Sequence, residues 1–453
     1  MVMVIEALPG LNRCLSQMEL TQPQLLMVAR LIAAFIDHSG RMSTLQAGGA
    51  IQSLPCHRAQ VGRFLGRKRW RGEALNDRLR QLVLREFPSL GRYFFLIDGT
   101  LCSQQGSNTE NTFSTGNRQR RPRQGRRYNQ RKVKAKSVHS FTMGLLITPS
   151  GIRIPFQRAY KTEAYCKTHS TPHRTTADAA AEMIRALPVP EKARVVVLAD
   201  TAYEARVVRA ACTERGFLWI VPCNPSRVLA GETPRPLVRS LLKNLSSVAL
   251  TPMRFVHAQG EFAVYRRASL SRRGPRNKPR AFFAHEETRK VHSVGEVRVV
   301  FSTTQPQLEK PTPDDVKILL TNDTSSPLRD IVEMYSLRWQ IELFFKELKS
   351  TLGMAQYRFA RFACVEAWVE LALTTFLYLE LHRARQLKRT DLSDKGRQWW
   401  QSQRAHGLVQ SLRQASEQAE LKYISDRLKT PGGVKKLKRV LQASRPSEYR
   451  AFL

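Results

Sequence analysis

The chain has 453 residues, of which 42% are hydrophobic, and its 74 Lys and Arg residues outnumber 37 Asp and Glu residues. This length exceeds one ordinary hydrophobic core, so two to four domains are expected, and the hydrophobic content excludes global disorder. The formal net charge of +37 is costly in self-repulsion unless a polyanion neutralises it. Nucleic acid is therefore the expected partner, and a ribosome-associated or membrane-surface protein is the alternative.

Cysteine and hydropathy patterns indicate the compartment. The seven cysteines are scattered and form no C-x-x-C pair, which argues against a disulfide framework or a zinc cluster and favours a reducing environment. The N-terminus lacks the pattern of a secretory signal. The most apolar stretch, 363–379, is interrupted by Glu366 and Glu370, which predicts a buried helix rather than a membrane span. We therefore expect a soluble cytoplasmic protein without a membrane partner.

Residues 1–90 have the pattern of a helical DNA-binding domain. An apolar helix is predicted over 24–37, and Ser43 begins another helical segment. The segment 57–66 is followed by a basic run, and two short helices with a basic second one are typical of a helix-turn-helix DNA reader. A basic helical bundle that contacts only phosphates fits equally well. The residues expected to contact DNA are Arg58, Arg63, Arg67, Lys68 and Arg69.

The pattern changes to strands after residue 90. Residues 93–97 form a continuous apolar run that predicts a strand buried on both faces, and the run ends at Asp98. The next predicted elements are a hairpin of 139–147 and 152–157, a helix over about 175–187, a strand over 194–199, a helix over about 203–215 and a strand over 217–221. Together with a later helix that carries Glu342, this order predicts an α/β fold with a ribonuclease-H-like catalytic core.

A strongly basic loop lies between the first two of these strands. Between 101 and 160 the only acidic residue is Glu110, so few local acids could neutralise the positive charge. We expect the loop to follow a DNA backbone, which gives a salt-dependent affinity with little sequence information. A solvated, disordered loop is the alternative. The basic residues of the loop are Arg118, Arg120, Arg121, Arg123, Arg126, Arg127, Arg131, Lys132, Lys134 and Lys136.

The catalytic core is predicted to be interrupted by a β-rich insertion and followed by a helical tail. Strand-like alternation at 262–265 and 296–301, without a long helical pattern, places the insertion over 224–314. The core is accordingly divided into a first part over 91–223 and a second part over 315–360. Residues 361–453 are predicted to form a helical, basic C-terminal region.

Three carboxylates are predicted to converge. Asp98 and Asp200 each end an apolar strand, and an acid in that position is costly to bury unless a cation neutralises it. If the two strands are neighbours, both carboxylates emerge at one edge of the sheet, and the later helix can bring Glu342 over that edge. Mg²⁺ prefers such oxygen ligands, and two ions would activate a nucleophile and stabilise the leaving oxygen. In the simpler alternative both aspartates are turn residues.

The helix that carries Glu342 has a polar and an apolar side. Its polar stripe consists of Tyr335, Arg338, Glu342, Lys346 and Lys349. On a wheel of about 100° per residue these side chains span roughly 80°, and the apolar residues fall on the opposite side, where they would dock on the core. The phenol and the cations of the stripe would hold the phosphates of the strand being cut. Ser326 and Pro327 are predicted to begin the helix, with Ser326 as its N-cap.

These features resemble the DDE transposases of prokaryotic insertion sequences, in the large group called insertion-sequence family four. That group is marked by the signature Tyr-x2-Arg-x3-Glu-x6-Lys, which this chain matches at every spacing. The matching residues are Tyr335, Arg338, Glu342 and Lys349. Asp98 in Leu-Ile-Asp-Gly-Thr and Asp200 in Leu-Ala-Asp-Thr-Ala-Tyr match the two aspartate motifs of the family. The resemblance covers about 40–350.

The resemblance implies cut-and-paste movement of an insertion sequence. Asp98, Asp200 and Glu342 would be catalytic and would bind two Mg²⁺ ions per active site, for which Mn²⁺ can substitute. The substrate would be double-stranded DNA, namely the terminal inverted repeats and the target. A homodimer would hold the two ends together, and the prokaryotic protein would be associated with the nucleoid.

The resemblance also implies a DNA hairpin intermediate. Trp339 matches the aromatic residue that follows the signature arginine, where it would stack near a flipped base, and ordinary helix packing is the alternative. The chain departs from the family here, because residues 220–338 contain no tryptophan to hold that base. The aromatic residues that could substitute are Phe262, Tyr265, Phe282, Phe283 and Phe301.

Two other functions share part of this pattern. A ribonuclease-H-like host nuclease or resolvase would have the three carboxylates without the Tyr-Arg-Lys stripe or a large insertion. A non-catalytic repressor of transposition would bind DNA through the same basic surface. The complete set of three acids gives no reason to expect inactivity, so an active transposase is the leading hypothesis.

Overall fold

The computed structural model describes residues 11–37, 57–66, 71–104, 109–115, 136–231, 235–256, 260–266, 280–430 and 432–435. Across these residues, ten strands form one sheet and helices pack around it. The predicted α/β class is therefore confirmed. Ser43, the basic run over 67–69 and the basic loop residues from 118 to 134 lie outside the described residues.

The sheet contains parallel and antiparallel strands. Its members are β1 (Arg92–Gln104), β2 (Phe113–Thr115), β3 (Lys136–Ile147), β4 (Arg153–Ala159), β5 (Arg194–Ala199), β6 (Leu218–Pro222), β7 (Thr251–Phe255), β8 (Arg280–Val291), β9 (Gly295–Thr303) and β10 (Lys317–Thr321). Their order is β2-β3-β1-β5-β6-β10-β9-β8-β7, and β4 also pairs with β3. β1 is antiparallel to β3 and parallel to β5, whereas β10 is antiparallel to both β6 and β9.

The helices precede, alternate with and follow these strands. They are α1 (Leu11–Ser16), α2 (Gln22–Asp37), α3 (Arg58–Gly66), α4 (Gly72–Glu86), α5 (Glu163–Thr168), α6 (Thr176–Arg185), α7 (Arg206–Glu214), α8 (Ala263–Arg266), α9 (Leu328–Ser336), α10 (Trp339–Lys346), α11 (Phe362–Leu387), α12 (Asp394–Ser402) and α13 (Ala405–Leu428). Short 3₁₀ turns cover Thr201–Tyr203 and Val238–Ser246, and a π-helical turn covers Glu347–Thr351.

Helix α11 is the core element on which the N-terminal helices pack. The ring of Trp368 lies 4.8 Å from that of Phe35 in α2, and the side chain of Asn76 in α4 donates to the backbone carbonyl of Glu370 at 3.0 Å. By length and composition α11 could cross a membrane, but 83% of its most apolar window is buried inside the protein. The prediction of a buried helix over 363–379 is therefore confirmed.

A buried group of charges ties α11 to the sheet. Arg153 of β4 donates to both carboxylate oxygens of Glu347, at 3.1 and 2.9 Å, and twice to Glu380, at 3.3 and 2.9 Å. A second arginine, Arg383, lies 3.5 Å from Glu380. We call these four residues the core cluster. Because Glu347 begins the π-helical turn directly after α10, the core cluster anchors the helix that carries Glu342.

Strand β1 is longer than predicted. The strands expected over 93–97, 139–147, 152–157, 194–199 and 217–221 are present, but β1 continues past Asp98 to Gln104. Asp98 therefore lies within a strand and does not end one. The reason is the long antiparallel ladder with β3, in which Asp98 pairs with Met143 and Gln104 with Ser137. This ladder holds in strand conformation the residues that were expected to turn.

The strands between 224 and 314 extend the same sheet. The strand predicted over 296–301 is confirmed as part of β9, whereas the strand predicted over 262–265 is wrong, because a helical turn begins at residue 263. Tyr265 and Arg266 are both 5% exposed, and consecutive strand residues would point to opposite faces. The Tyr265 hydroxyl donates to a β1 carbonyl at 2.7 Å, and Arg266 pairs with a glutamate of α9 at 3.0 Å.

The single helix predicted to carry Glu342 is divided into α9 and α10. At the junction, Leu337 and Arg338 donate to carbonyls three residues earlier, at 2.9 and 3.1 Å, so the backbone tightens locally. The predicted N-cap at Ser326 is also wrong, since Pro327 precedes the first helical residue. The backbone before the helix is held by the Asp323 carboxylate, which accepts from the Ser326 amide at 2.9 Å.

Candidate active site

Two aspartates lie side by side at one edge of the sheet. Ile97 of β1 is the register partner of Ala199 in the parallel strand β5, and each residue is followed directly by an aspartate. Adjacent strands are about 4.8 Å apart, so the backbones of Asp98 and Asp200 are neighbours. Asp200 precedes the 3₁₀ turn that follows β5. The parallel pairing therefore brings together two acids that lie about a hundred positions apart in the sequence.

Asp98 is partly buried and hydrogen-bonded. Its Oδ1 atom accepts from the Gly99 amide at 2.7 Å. Burial raises the pKa of Asp98 above its usual range, although the Gly99 hydrogen bond and the Arg338 charge oppose that rise. The negative charges of Asp200 and Glu342 act in the same direction as burial. This site therefore concentrates negative charge where it is costly to hold.

Arg338 joins Asp98 to the helix. Its Nη1 atom lies 3.3 Å from Oδ2 of Asp98, and its Nη2 atom lies 2.6 Å from Oε1 of Glu342. The exposed fractions of the three side chains are 18% for Arg338, 20% for Asp98 and 33% for Glu342. We call these three residues the site cluster. The apolar side of the helix, predicted to dock on the core, is buried at Met334, and the polar stripe faces the carboxylates.

Two tyrosines border the acids. Tyr203 is 2% exposed. A Cβ atom added to Gly99 would lie 3.2 Å from the Tyr203 hydroxyl, so the glycine allows this hydroxyl to approach the β1 backbone closely. Burial raises the pKa of Tyr203 to about 12. Tyr335 of α9 lies beside Arg338, and burial holds its pKa well above the usual range. Both phenols are therefore neutral near physiological pH.

The remaining residues of the polar stripe differ in their surroundings. Lys349 donates to the backbone carbonyl of Leu101 at 2.8 Å, which connects the π-helical turn to β1. Lys346 is exposed. Trp339 is 55% exposed at the start of α10, so it is available for stacking and is not packed in the core.

The other residues predicted to contact DNA are placed only in part. Arg58 and Arg63 are exposed on α3, and Lys136 is the first residue of β3. The following predicted DNA contacts lie outside the described residues: Arg67, Lys68, Arg69, Arg118, Arg120, Arg121, Arg123, Arg126, Arg127, Arg131, Lys132 and Lys134.

The three acids do not form a closed metal cage in this structure. Among the described residues, no group of three or more His, Cys, Asp or Glu side chains lies close enough together to hold an ion. The guanidinium of Arg338 instead bridges Asp98 and Glu342. The donor set nevertheless fits a hard divalent cation, because it consists of carboxylate oxygens and already holds a positive group between two of its members.

One cation near the acids was missed by the sequence analysis. Lys317 is the first residue of β10, where its Nζ atom lies 5.9 Å from the centroid of the Tyr335 ring. Burial lowers the pKa of this ammonium, the negative charge of Asp200 opposes that shift, and the positive charge of Arg338 adds to it. Lys317 could have been noticed in the sequence because it stands at the start of the strand that returns the chain to the sheet. The pairing of β10 with β6 could not be deduced from that position alone.

Comparison with known proteins identifies the family. The model of the transposase DDE domain matches residues 90–378, which is more than half of the chain and includes every acid and cation of the site described above. No curated protein matches the chain. Enzymes of this family are nucleases and transposases that act on DNA and generally use divalent metal ions. The chain therefore belongs to the family of proteins with a transposase DDE domain.

Proposed function

We propose that the protein is an insertion-sequence transposase of insertion-sequence family four that cuts the terminal inverted repeats and joins them to target DNA. The observation that carries this proposal is the bridge that Arg338 forms between Asp98 and Glu342, with Asp200 following the strand next to that of Asp98, within the segment that matches the family. A host nuclease would not need the tyrosine, arginine and lysine stripe that accompanies the acids.

The strand order supports a ribonuclease-H-like core. The strands β4-β3-β1 are antiparallel to their neighbours, and β5 and β6 then continue parallel to β1. We infer a core made of 91–223 and 315–360, with 224–314 as an insertion whose strands extend the sheet. A helical DNA-binding domain over 1–90 and a helical basic region over 361–453 complete the proposed division.

Asp98, Asp200 and Glu342 are the residues that would hold two Mg²⁺ or Mn²⁺ ions. When bound, such ions supply an activated nucleophile and stabilise charge on the leaving oxygen. The raised pKa of Asp98 supports the assignment, since a carboxylate that is costly to ionise gains from a bound cation. The chain's own contribution would be to orient the DNA around these acids.

Arg338 and Lys349 would bind and orient the phosphates. The guanidinium of Arg338 presents a planar set of donors that suits a phosphate as well as a carboxylate. Lys349 is held at β1 by its bond to the carbonyl of Leu101. Trp339 is exposed beside them and suits stacking on a base.

A hairpin intermediate is a finer part of the proposal. The aromatic residues considered for holding a flipped base include Phe262, Tyr265 and Phe301, which are buried and unable to receive one. Phe282 and Phe283 are half-buried on β8, and Phe282 lines an open cleft beside Arg338. This favours Phe282 for that role.

Two protomers would be required to hold both ends of the element, and the protein would act at the nucleoid in the cytoplasm.

The decisive experiment compares cleavage with binding. Glu342→Gln should abolish cleavage of a duplex that carries the DNA flanking the gene, in Mg²⁺, while leaving binding to that duplex largely unchanged. Asp330→Asn provides a matched control, because Asp330 lies in the first turn of α9, away from the site cluster. Full cleavage by Glu342→Gln would contradict the assignment, as would equal loss in the Asp330→Asn control.

A further inference from the structure

The cleft beside Arg338 also contains a lysine that has no assigned role. The cleft has a volume of about 490 Å³ and lies between β10 and α9. On the site side its wall is formed by Lys317, Tyr335 and Arg338, and on the other side by Phe282 and Thr303. The cleft is therefore continuous with the site cluster through Arg338.

Strand pairing places Lys317 at the same sheet edge as the aspartates. Leu198 of β5 is the partner of Ile220, and Ile220 is the partner of Thr321 in the antiparallel strand β10. β10 therefore begins at the edge where β5 ends, and Lys317 is its first residue. The backbone ladder therefore places Lys317 at the same sheet edge as Asp200, two strands away from β5.

The ammonium of Lys317 is not committed to another protein group. Within the part of the chain that the structure describes, it forms no ion pair or side-chain hydrogen bond, and its Nζ atom lies 5.9 Å from the centroid of the Tyr335 ring. The other cations of the site are engaged, since Arg338 bridges two carboxylates and Lys349 donates to a carbonyl. Lys317 is thus a cation available for an anionic ligand.

We propose that Lys317 is a further DNA-positioning residue, whose ammonium binds a phosphodiester of the strand that enters the cleft beside Asp200. This inference rests on the proposed function. Asp314 and Asp315 also line the cleft, so a phosphate would bind at the end formed by Lys317 and Arg338. The contact would place the neighbouring scissile phosphate over the acids and would carry no sequence information.

The first test measures how DNA affinity depends on salt. Full-length protein is titrated, without metal, with a short linear duplex taken from the DNA that flanks the gene. Loss of one phosphate contact in Lys317→Met should reduce the slope of log affinity against log salt by about 0.9, and Lys317→Arg should restore it. Lys290→Met is the matched control, since Lys290 is exposed on β8 about 23 Å from the site edge, and its slope should equal that of the wild type.

The second test measures positioning. With saturating duplex and Mg²⁺, the single-turnover cleavage rate of Lys317→Met should fall about tenfold or more, because a misplaced phosphate reacts slowly. Thermal unfolding of each variant shows whether the fold is retained.

The outcomes separate this inference from the proposed function. If the wild type does not cleave, the proposed function fails, and the salt slopes still decide the role of Lys317. If the wild type cleaves and Lys317→Met matches Lys290→Met in both slope and rate, the positioning role is overturned. An arginine variant that loses as much slope as the methionine variant would also overturn it.

Discussion

The core cluster and the site cluster each hold an arginine between two carboxylates. In the core cluster, Arg153 is 1% exposed and makes four hydrogen bonds to Glu347 and Glu380, with Arg383 balancing the charge. In the site cluster, Arg338 makes one bond to each acid and is 18% exposed. The two differ in how completely their charges are satisfied.

This difference separates a structural role from a chemical one. Buried charges are tolerated when every partner is present, so the core cluster resists change. In the site cluster, Arg338 bonds to Asp98 and Glu342, and under the proposed function a metal ion would take the place of the guanidinium between the acids. The same residue types thus hold the fold in one place and remain available for a ligand in the other.

Breaking the core cluster should have the largest effect on stability. Arg153→Met should lower the free energy of unfolding by about 3–5 kcal/mol, because it removes the arginine partner of the buried Glu347 and leaves Glu380 with Arg383 alone. Denaturant unfolding measures this loss. Arg289→Met is the control, since Arg289 is 39% exposed, and a change below about 1 kcal/mol is expected there. Similar losses in the two variants would contradict the comparison.

Acid should destabilise the fold through the buried His382. Burial lowers the pKa of His382 in α11 to about 4, from about 6.5 in the unfolded chain. Because the unfolded state binds the proton first, stability is lost as pH falls from about 6.5 to about 4, by about 3 kcal/mol. Unfolding at several pH values should show this loss in the wild type and a smaller one in His382→Phe. Equal losses would show that His382 does not contribute.

Removing the arginine of the site cluster should cost little stability. Arg338→Met should change the free energy of unfolding by less than about 1 kcal/mol, because the pair with Glu342 is partly exposed. The same variant should weaken strand transfer more than overall DNA affinity. Equal losses in transfer and affinity would reduce Arg338 to a simple phosphate contact.

The smallest stability effect is expected at Asp98. Its raised pKa means that the ionised form is disfavoured in the folded protein, so its charge is unfavourable at neutral pH. Asp98→Asn should therefore leave the free energy of unfolding within about 0.5 kcal/mol of the wild type, or raise it, while cleavage is lost. A large loss of stability in Asp98→Asn would instead show that Asp98 has a structural role, as Arg153 has.

Sequence patterns predicted the parts of the fold that depend on local periodicity. The apolar runs before Asp98 and Asp200 predicted β1 and β5, and the helical wheel predicted which side of α9 and α10 is buried. The extension of β1 could not be predicted, because it depends on pairing with the distant strand β3. The helical turn at Tyr265 was missed for a similar reason, since its hydroxyl bonds to a distant backbone carbonyl.

The site was predicted less completely than the fold. The spacing of Arg338 and Glu342 is local to a helix, so their ion pair follows from the sequence. The bond from Arg338 to Asp98 joins residues 240 positions apart and follows only from the tertiary structure. Lys317 was missed because its position relative to Asp200 depends on the order in which β5, β6 and β10 pair in the sheet.

The continuous sheet also fixes the distance between β1 and β7. Six strand spacings separate β1 from β7, and at about 4.8 Å each they span roughly 29 Å. That distance corresponds to about eight or nine base pairs of duplex, at about 3.4 Å per pair. Hydrogen bonds between all neighbouring strands make the span stiff. A group held at β7 would therefore stay at a nearly constant distance from the acids on β1 and β5.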